Sequence, residues 1–156
     1  IAGTLTIKIL NIFESTLAQI ISLTLFIPLL IGVGGNTGSQ SATTIVRALA
    51  IDDVRISDCF IIILKEMSVG LLLGLTLGIF SYLVILCFFN NQIALIVSCS
   101  MLFICIIATL MGSIMPIIAR LLKLDPAVMS APLVSTIIDA TGLLIYFLLA
   151  KLVLSM

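Results

Sequence analysis

Four long apolar runs govern what this chain can fold into. Residues 15–35, 59–89, 92–119 and 132–155 are each dominated by hydrophobic side chains, and each meets the length of about 20 residues needed to cross a hydrocarbon core. The first is interrupted by Gln19 and Pro28, the second holds Lys65 and Glu66 near its start, and the fourth holds Asp139 and, near its end, Lys151. Hydrophobic residues make up 62% of the 156 and charged residues 9%, whereas soluble domains carry about 25% charged residues. So few charges cannot cover a water-facing surface, and the expected class is an all-α integral membrane bundle. Residues 1–10 are apolar but too short to span; they read as the late part of a further helix. A basic leader region and a cleavage site are missing, so this start does not read as a signal peptide.

Basic residues orient the bundle. Arg47, Arg55 and Lys65 flank the connection after the first full run, and Arg120 and Lys123 flank the one before the last; Lys8 and Lys151 lie on the other side. The excess of positive charge places 36–58 and 120–131 in the cytoplasm and the C-terminus outside. Lysine plus arginine equals aspartate plus glutamate at 7 each, so nucleic acid is not expected as a partner.

One stretch, "LLIGVGGNTGSQSATTIVRA" at 29–48, departs from this apolar character. Gly38 is followed by Ser39-Gln40 rather than Gly-Lys-Ser/Thr, and Thr37 stands where a dinucleotide fingerprint needs its third glycine. Neither phosphate motif is met. The stretch reads as an irregular, polar end to its helix, followed by a short helix over "SQSATTIVRALA" that leads to an interfacial Arg47. The cysteines, Cys59, Cys87, Cys99 and Cys105, form no CxxC pair and histidine is absent. Soft metal ligation is therefore not expected, and a bound metal would be hard and oxygen-ligated.

Charges inside a membrane usually face a cavity or a partner. Lys65-Glu66 read as an interfacial or interhelical pair, and Glu14 as an interfacial residue or a carboxylate at a pore mouth. Asp139 lies deep in the last run with no basic residue within ten positions. Ala131, Ser135 and Asp139 share one helix face at spacing i, i+4, i+8, with Gly142 expected on the same side. Pro132 lacks an N–H and clashes with a carbonyl one turn earlier, so "MSAPLV" is expected to start or break its helix. Pro28 and the nearby glycines are expected to do the same. Two Pro/Gly-broken helices would then bring oxygen ligands to a cation path.

"IPLLIGVGGNTGSQSATTIVRALA", "LKEMSVGLLLGLTLG", "LDPAVMSAPLVSTIIDATGLLIYF" and "FES" at 13–15 closely resemble the membrane domain of the MgtE family of magnesium channels and transporters. The resemblance runs essentially end to end. It implies a five-helix transmembrane channel domain over 1–156, with the first helix largely missing, that works as a homodimer in a bacterial cell membrane. It further implies a pore on the two-fold axis lined by the second and fifth helices, here about 11–35 and 132–155. Asp139 matches the family's pore aspartate and would hold hydrated Mg²⁺, the transported ion, with backbone carbonyls at Ser135 and Ala131. Asn36 and Glu14 match further positions along the path. Some members have Asn where this chain has Ala131, so only its carbonyl can contribute. The cytoplasmic N domain and CBS domains that close the pore in the family are not in this sequence.

The chemistry of Mg²⁺ fits such a site, because the ion keeps its waters and is often held by one or two carboxylates. Two-fold pairing would bring one Asp139 from each copy, and the glycines would let two backbones approach near the axis. Side chains at Gly34 or Gly35 are accordingly expected to impair conduction more than folding. A proton- or sodium-coupled carrier and an intramembrane aspartyl protease are the competing readings of a lone buried aspartate.

Overall fold

The computed structural model describes residues 2–13, 21–51 and 58–154. Among them are five α-helices: α1 (Ala2–Ile12), α2 (Ile27–Ala50), α3 (Cys59–Leu86), α4 (Asn91–Leu121) and α5 (Pro126–Leu154), with a 3₁₀ segment (Ile21–Phe26) leading into α2. No strand occurs among the described residues. Four segments are long and apolar enough to cross a membrane: Ile21–Ala50, Cys59–Leu86, Asn91–Leu121 and Leu133–Leu154.

Helix α4 is the hub. It packs against α2, α3 and α5, while α2 and α5 also touch and α1 leans on α5. Its inward residues Val97, Met101, Ile104, Cys105 and Ala108 are almost wholly buried. They recur at spacings of one helical turn, which is how one helix can carry a continuous core. Both its ends are closed. The Asn90 side chain accepts the Ile93 N–H at 3.0 Å, an N-cap that satisfies a donor the helix cannot. At the other end Lys123 takes a left-handed φ of 57°, while the Leu124 N–H reaches the Ala119 carbonyl at 2.9 Å and the Lys123 N–H reaches Arg120 at 3.1 Å. That pair of bonds is the Schellman closure.

Helix α3 approaches α4 along Gly70, Gly74 and Gly78, all buried. A Cβ at Gly74 would lie 2.8 Å from both Cα and O of Leu102, and one at Gly78 would lie 3.0 Å from the Ser98 carbonyl. Backbone thus sits against backbone, the close contact that small residues permit between membrane helices. The spacing of four residues carries this contact in the sequence.

Two expectations about the helices are corrected. The first full run does not end at 35. After the 3₁₀ segment, α2 begins with Pro28 in its first turn, where a missing N–H costs nothing. It then continues as unbroken helix through Gly32, Gly34, Gly35 and Gly38 to Ala50. No glycine takes a positive φ. Inside a bilayer an irregular backbone would leave polar groups without partners, and this outweighs the roughly 1 kcal/mol that each glycine costs a helix. Hence residues 36–50 extend the helix instead of forming a connection, and the short separate helix after the glycines is the second half of α2. Likewise α5 starts at Pro126 and passes Pro132 without a break. The missing N–H of Pro132 leaves one carbonyl, one turn earlier, without its helical donor.

Candidate functional site

The earlier start of α5 changes the position of Asp139. Thirteen residues precede it from Pro126 and fifteen follow it to Leu154, so the carboxylate sits at the middle of the helix. The helix opposite runs antiparallel. A Cβ on Gly35 would stand 3.8 Å from Asp139 Oδ1, and one turn on, Ser39 Oγ lies 3.4 Å from Ser135 Oγ. As the number rises on α2 it falls on α5, which brings Gly35 to Asp139 and Ser39 to Ser135.

Two neighbouring glycines of α2 divide their work. A Cβ on Gly34 would sit 2.7 Å from Ile138 Cγ2 and 2.8 Å from Ile104 Cγ2. Gly34 therefore seals the junction of α2, α4 and α5 within the chain. Gly35 has room for a Cβ and borders the carboxylate. The expectation that both serve conduction before folding is corrected for Gly34, whose place is in the core.

From Asn36 onward six polar side chains of α2 fall on one face, while Thr37 and Ser41 are buried on another. Asn36, Ser39, Gln40, Thr43, Thr44 and Arg47 line an open cavity of about 560 Å³, at spacings i, i+3, i+4, i+7, i+8 and i+11. Asn36, Gln40, Thr43, Thr44 and Arg47 are exposed. Thr43 and Thr44 donate to the Ser39 and Gln40 carbonyls at 2.8 and 2.9 Å. Such backbonding leaves each hydroxyl oxygen's lone pairs turned outward as acceptors. The strip runs for about 16 Å along a helix that rises 1.5 Å per residue. From this strip the sequence pointed to Asn36 on the path and Arg47 at the interface, because the stretch reads as irregular; the period of the polar residues was the available signal for the rest.

Of the other expected site residues, Ala131 lies in α5 one turn before Ser135, and Glu14 falls outside the described residues. In a continuous helix the carbonyls of 131 and 135 already accept one backbone N–H each. Each keeps a second lone pair for a water or an ion's hydration shell. Gly142 does not share the polar face; a Cβ there would meet Ile104 Cδ1 of α4 at 3.5 Å. Lys65 and Glu66 part company: Lys65 is exposed, while Glu66 Oε2 accepts the Ser41 hydroxyl at 2.5 Å.

Away from the strip, polar groups hold the frame. The buried Tyr146 hydroxyl donates to the Leu23 carbonyl at 2.8 Å, tying α5 to the 3₁₀ segment. Arg120 donates to the Leu49 carbonyl, so α4 caps the last turn of α2. Phe13 stacks on Phe147 with ring centroids 4.9 Å apart, and Lys151 Nζ stands 5.5 Å over the Phe13 ring.

Residues 27–149 match the MgtE family model, described as a divalent cation transporter. The chain is 46% identical over 156 residues to a protein of Thermus thermophilus named magnesium transporter MgtE, covering 99% of this chain and 34% of that protein. Proteins of the same name from Bacillus subtilis and Enterococcus faecalis are each 34% identical, over 146 and 151 residues, with 32% and 33% of their lengths covered. The chain spans about a third of the length of the curated relatives it matches.

Proposed function

The chain belongs to the MgtE family of divalent cation transporters, a family of transporters and not of enzymes, and from that membership we propose that it forms the pore-bearing membrane part of a Mg²⁺ channel. Two copies pair about a two-fold axis, and hydrated Mg²⁺ passes between their α2 and α5 helices. The observation that carries this reading is the exposed polar strip of α2, set on a segment long and apolar enough to span the bilayer. Side chains such as Asn36 and Gln40 lose hydrogen bonds if they face lipid. Water and a second copy of the same surface relieve that cost, and self-complementary pairing is the commonest way proteins associate.

Asp139 is the ion's charged ligand in this reading. It accepts hydrogen bonds from the ion's water shell, helped by the carbonyls of Ser135 and Ala131, and Asn36 and Glu14 line the path to either side. Two carboxylates at an axis attract a divalent ion, while the retained waters keep it from being trapped. Arg47, Arg120 and Lys123 mark the cytoplasmic side, which sets the C-terminus outside. In a longer chain, cytoplasmic N and CBS domains would close this pore when Mg²⁺ is plentiful.

Flux into liposomes tests the proposal. A Mg²⁺ gradient alone should drive uptake, and neither Na⁺ nor a pH gradient should be required. Uptake that stops without a Na⁺ or proton gradient would instead make Asp139 the coupling group of a carrier.

A further inference from the structure

Behind the polar strip lies a second oxygen-lined space. Glu66 of α3, Thr109 of α4 and Thr37, Gln40, Ser41 and Thr44 of α2 border a cavity of about 280 Å³. We propose that this cavity is a second station for a hydrated divalent cation, beside the conduction path and on the Arg47 side of Asp139; the proposal rests on the reading of the chain as a cation channel.

The chemistry of the wall is the argument. Its polar side chains are one carboxylate, one amide and four hydroxyls, a set of hard oxygen donors suited to a cation that keeps water. Ser41 Oγ donates to Glu66 Oε2 at 2.5 Å and also lies 3.1 Å from the Thr109 carbonyl. One hydroxyl hydrogen cannot fill two acceptors, and an ionised carboxylate offers about four lone-pair sites. The groups facing Glu66 from α2 and α4 across the cavity are neutral, and the remaining lining residues, Val69 and Leu73, are apolar. A carboxylate within a membrane span calls for a partner, and a cation with its water fits the space, since each water takes about 30 Å³.

The cavity also has a route to the path. Gln40 and Thr44 line both it and the polar strip. Ser41 lies six residues beyond Gly35, about 9 Å along the helix. Cations in both stations would repel one another, which helps an ion leave a site that binds it.

Mn²⁺ binding to the whole chain, followed by the electron paramagnetic resonance signal of the free ion, tests this with Asp139→Asn as the background. That chain should retain a class of Mn²⁺ sites, and adding Glu66→Gln should weaken it at least about tenfold, the scale of losing one strong ligand interaction. The Gln amide oxygen can still accept from Ser41, so the helix contact survives. Val69→Lys places an ammonium one turn from Glu66 and should displace the ion equally; it decides the matter if Glu66→Gln does not fold. Mn²⁺ binding untouched by both changes would overturn the proposal and leave Glu66 as an acceptor for Ser41 alone. If instead Asp139→Asn conducts Mg²⁺ like the parent while Glu66→Gln still removes a binding class, the pore assignment fails and this station stands.

Discussion

At the scale of residues, Asp139 and the two glycines opposite it make separable demands. Asp139→Asn keeps the shape and removes the charge, and should lower Mg²⁺ flux more than about tenfold, since a charge interaction across several ångströms of poorly screened protein exceeds 1.4 kcal/mol. Asp139→Ala should abolish flux while leaving the fold intact. Asp139→Glu keeps the charge but moves it into the space of the hydration shell, so selectivity or rate should suffer more than binding. Calorimetry of Mg²⁺ binding beside liposome flux measures all three, and an Asn variant that binds and conducts like the parent would remove Asp139 from the pore. The glycines supply a sharper contrast. Gly34→Val should destabilise the protomer by about 1–3 kcal/mol through overpacking against Ile138 and Ile104. Gly35→Val should fold normally, because a Cβ there makes only ordinary contact, yet it should cut flux by crowding Asp139. Thermal unfolding in detergent separates the pair; equal melting temperatures would show that Gly34 is not part of the core.

At the scale of elements, the glycine-lined seam between α3 and α4 predicts a rigid pair. Gly74→Val would push a branched side chain into the Leu102 backbone, which cannot move aside as a side chain can. It should lower stability by more than Gly34→Val, and a shift in melting temperature no larger than that of a lipid-facing control such as Leu72→Val would refute the seam. Much of this layer could be read from residues alone. Hydropathy placed the four spans because a bilayer leaves the backbone little choice but to be helical. Asp139 stood out because a lone carboxylate in an apolar run needs a reason. The course of α2 and α5 was misread for one physical cause: Gly and Pro break helices in water, where a freed backbone group can find a partner, but in a span the helix is kept except for the bond a proline cannot make. The links from Tyr146 to Leu23 and from Ser41 to Glu66 join residues 123 and 25 positions apart. No local pattern encodes such pairs; they follow from how whole helices pack.

At the scale of the molecule, the protomer is half of a proposed object. Single cysteines at Gln40 or Thr43, in a chain whose native cysteines are replaced, should crosslink to the same position of a second copy. Cysteines at Leu72 or Phe80, exposed on the apolar side of α3, should not. Crosslinks confined to the apolar side would dismiss a pore on the α2 face. With no joint between Gly35 and Ala50, α2 is a lever whose arm is about 22 Å long. Turning it by about 10° about its Gly35 end would swing the Ala50 end by about 4 Å, more than the width of a water molecule, and would part Leu49 from Arg120. In the proposed channel, a pull on the chain at that end would therefore act first on the contact of Arg120 with Leu49 and through it on the width of the path.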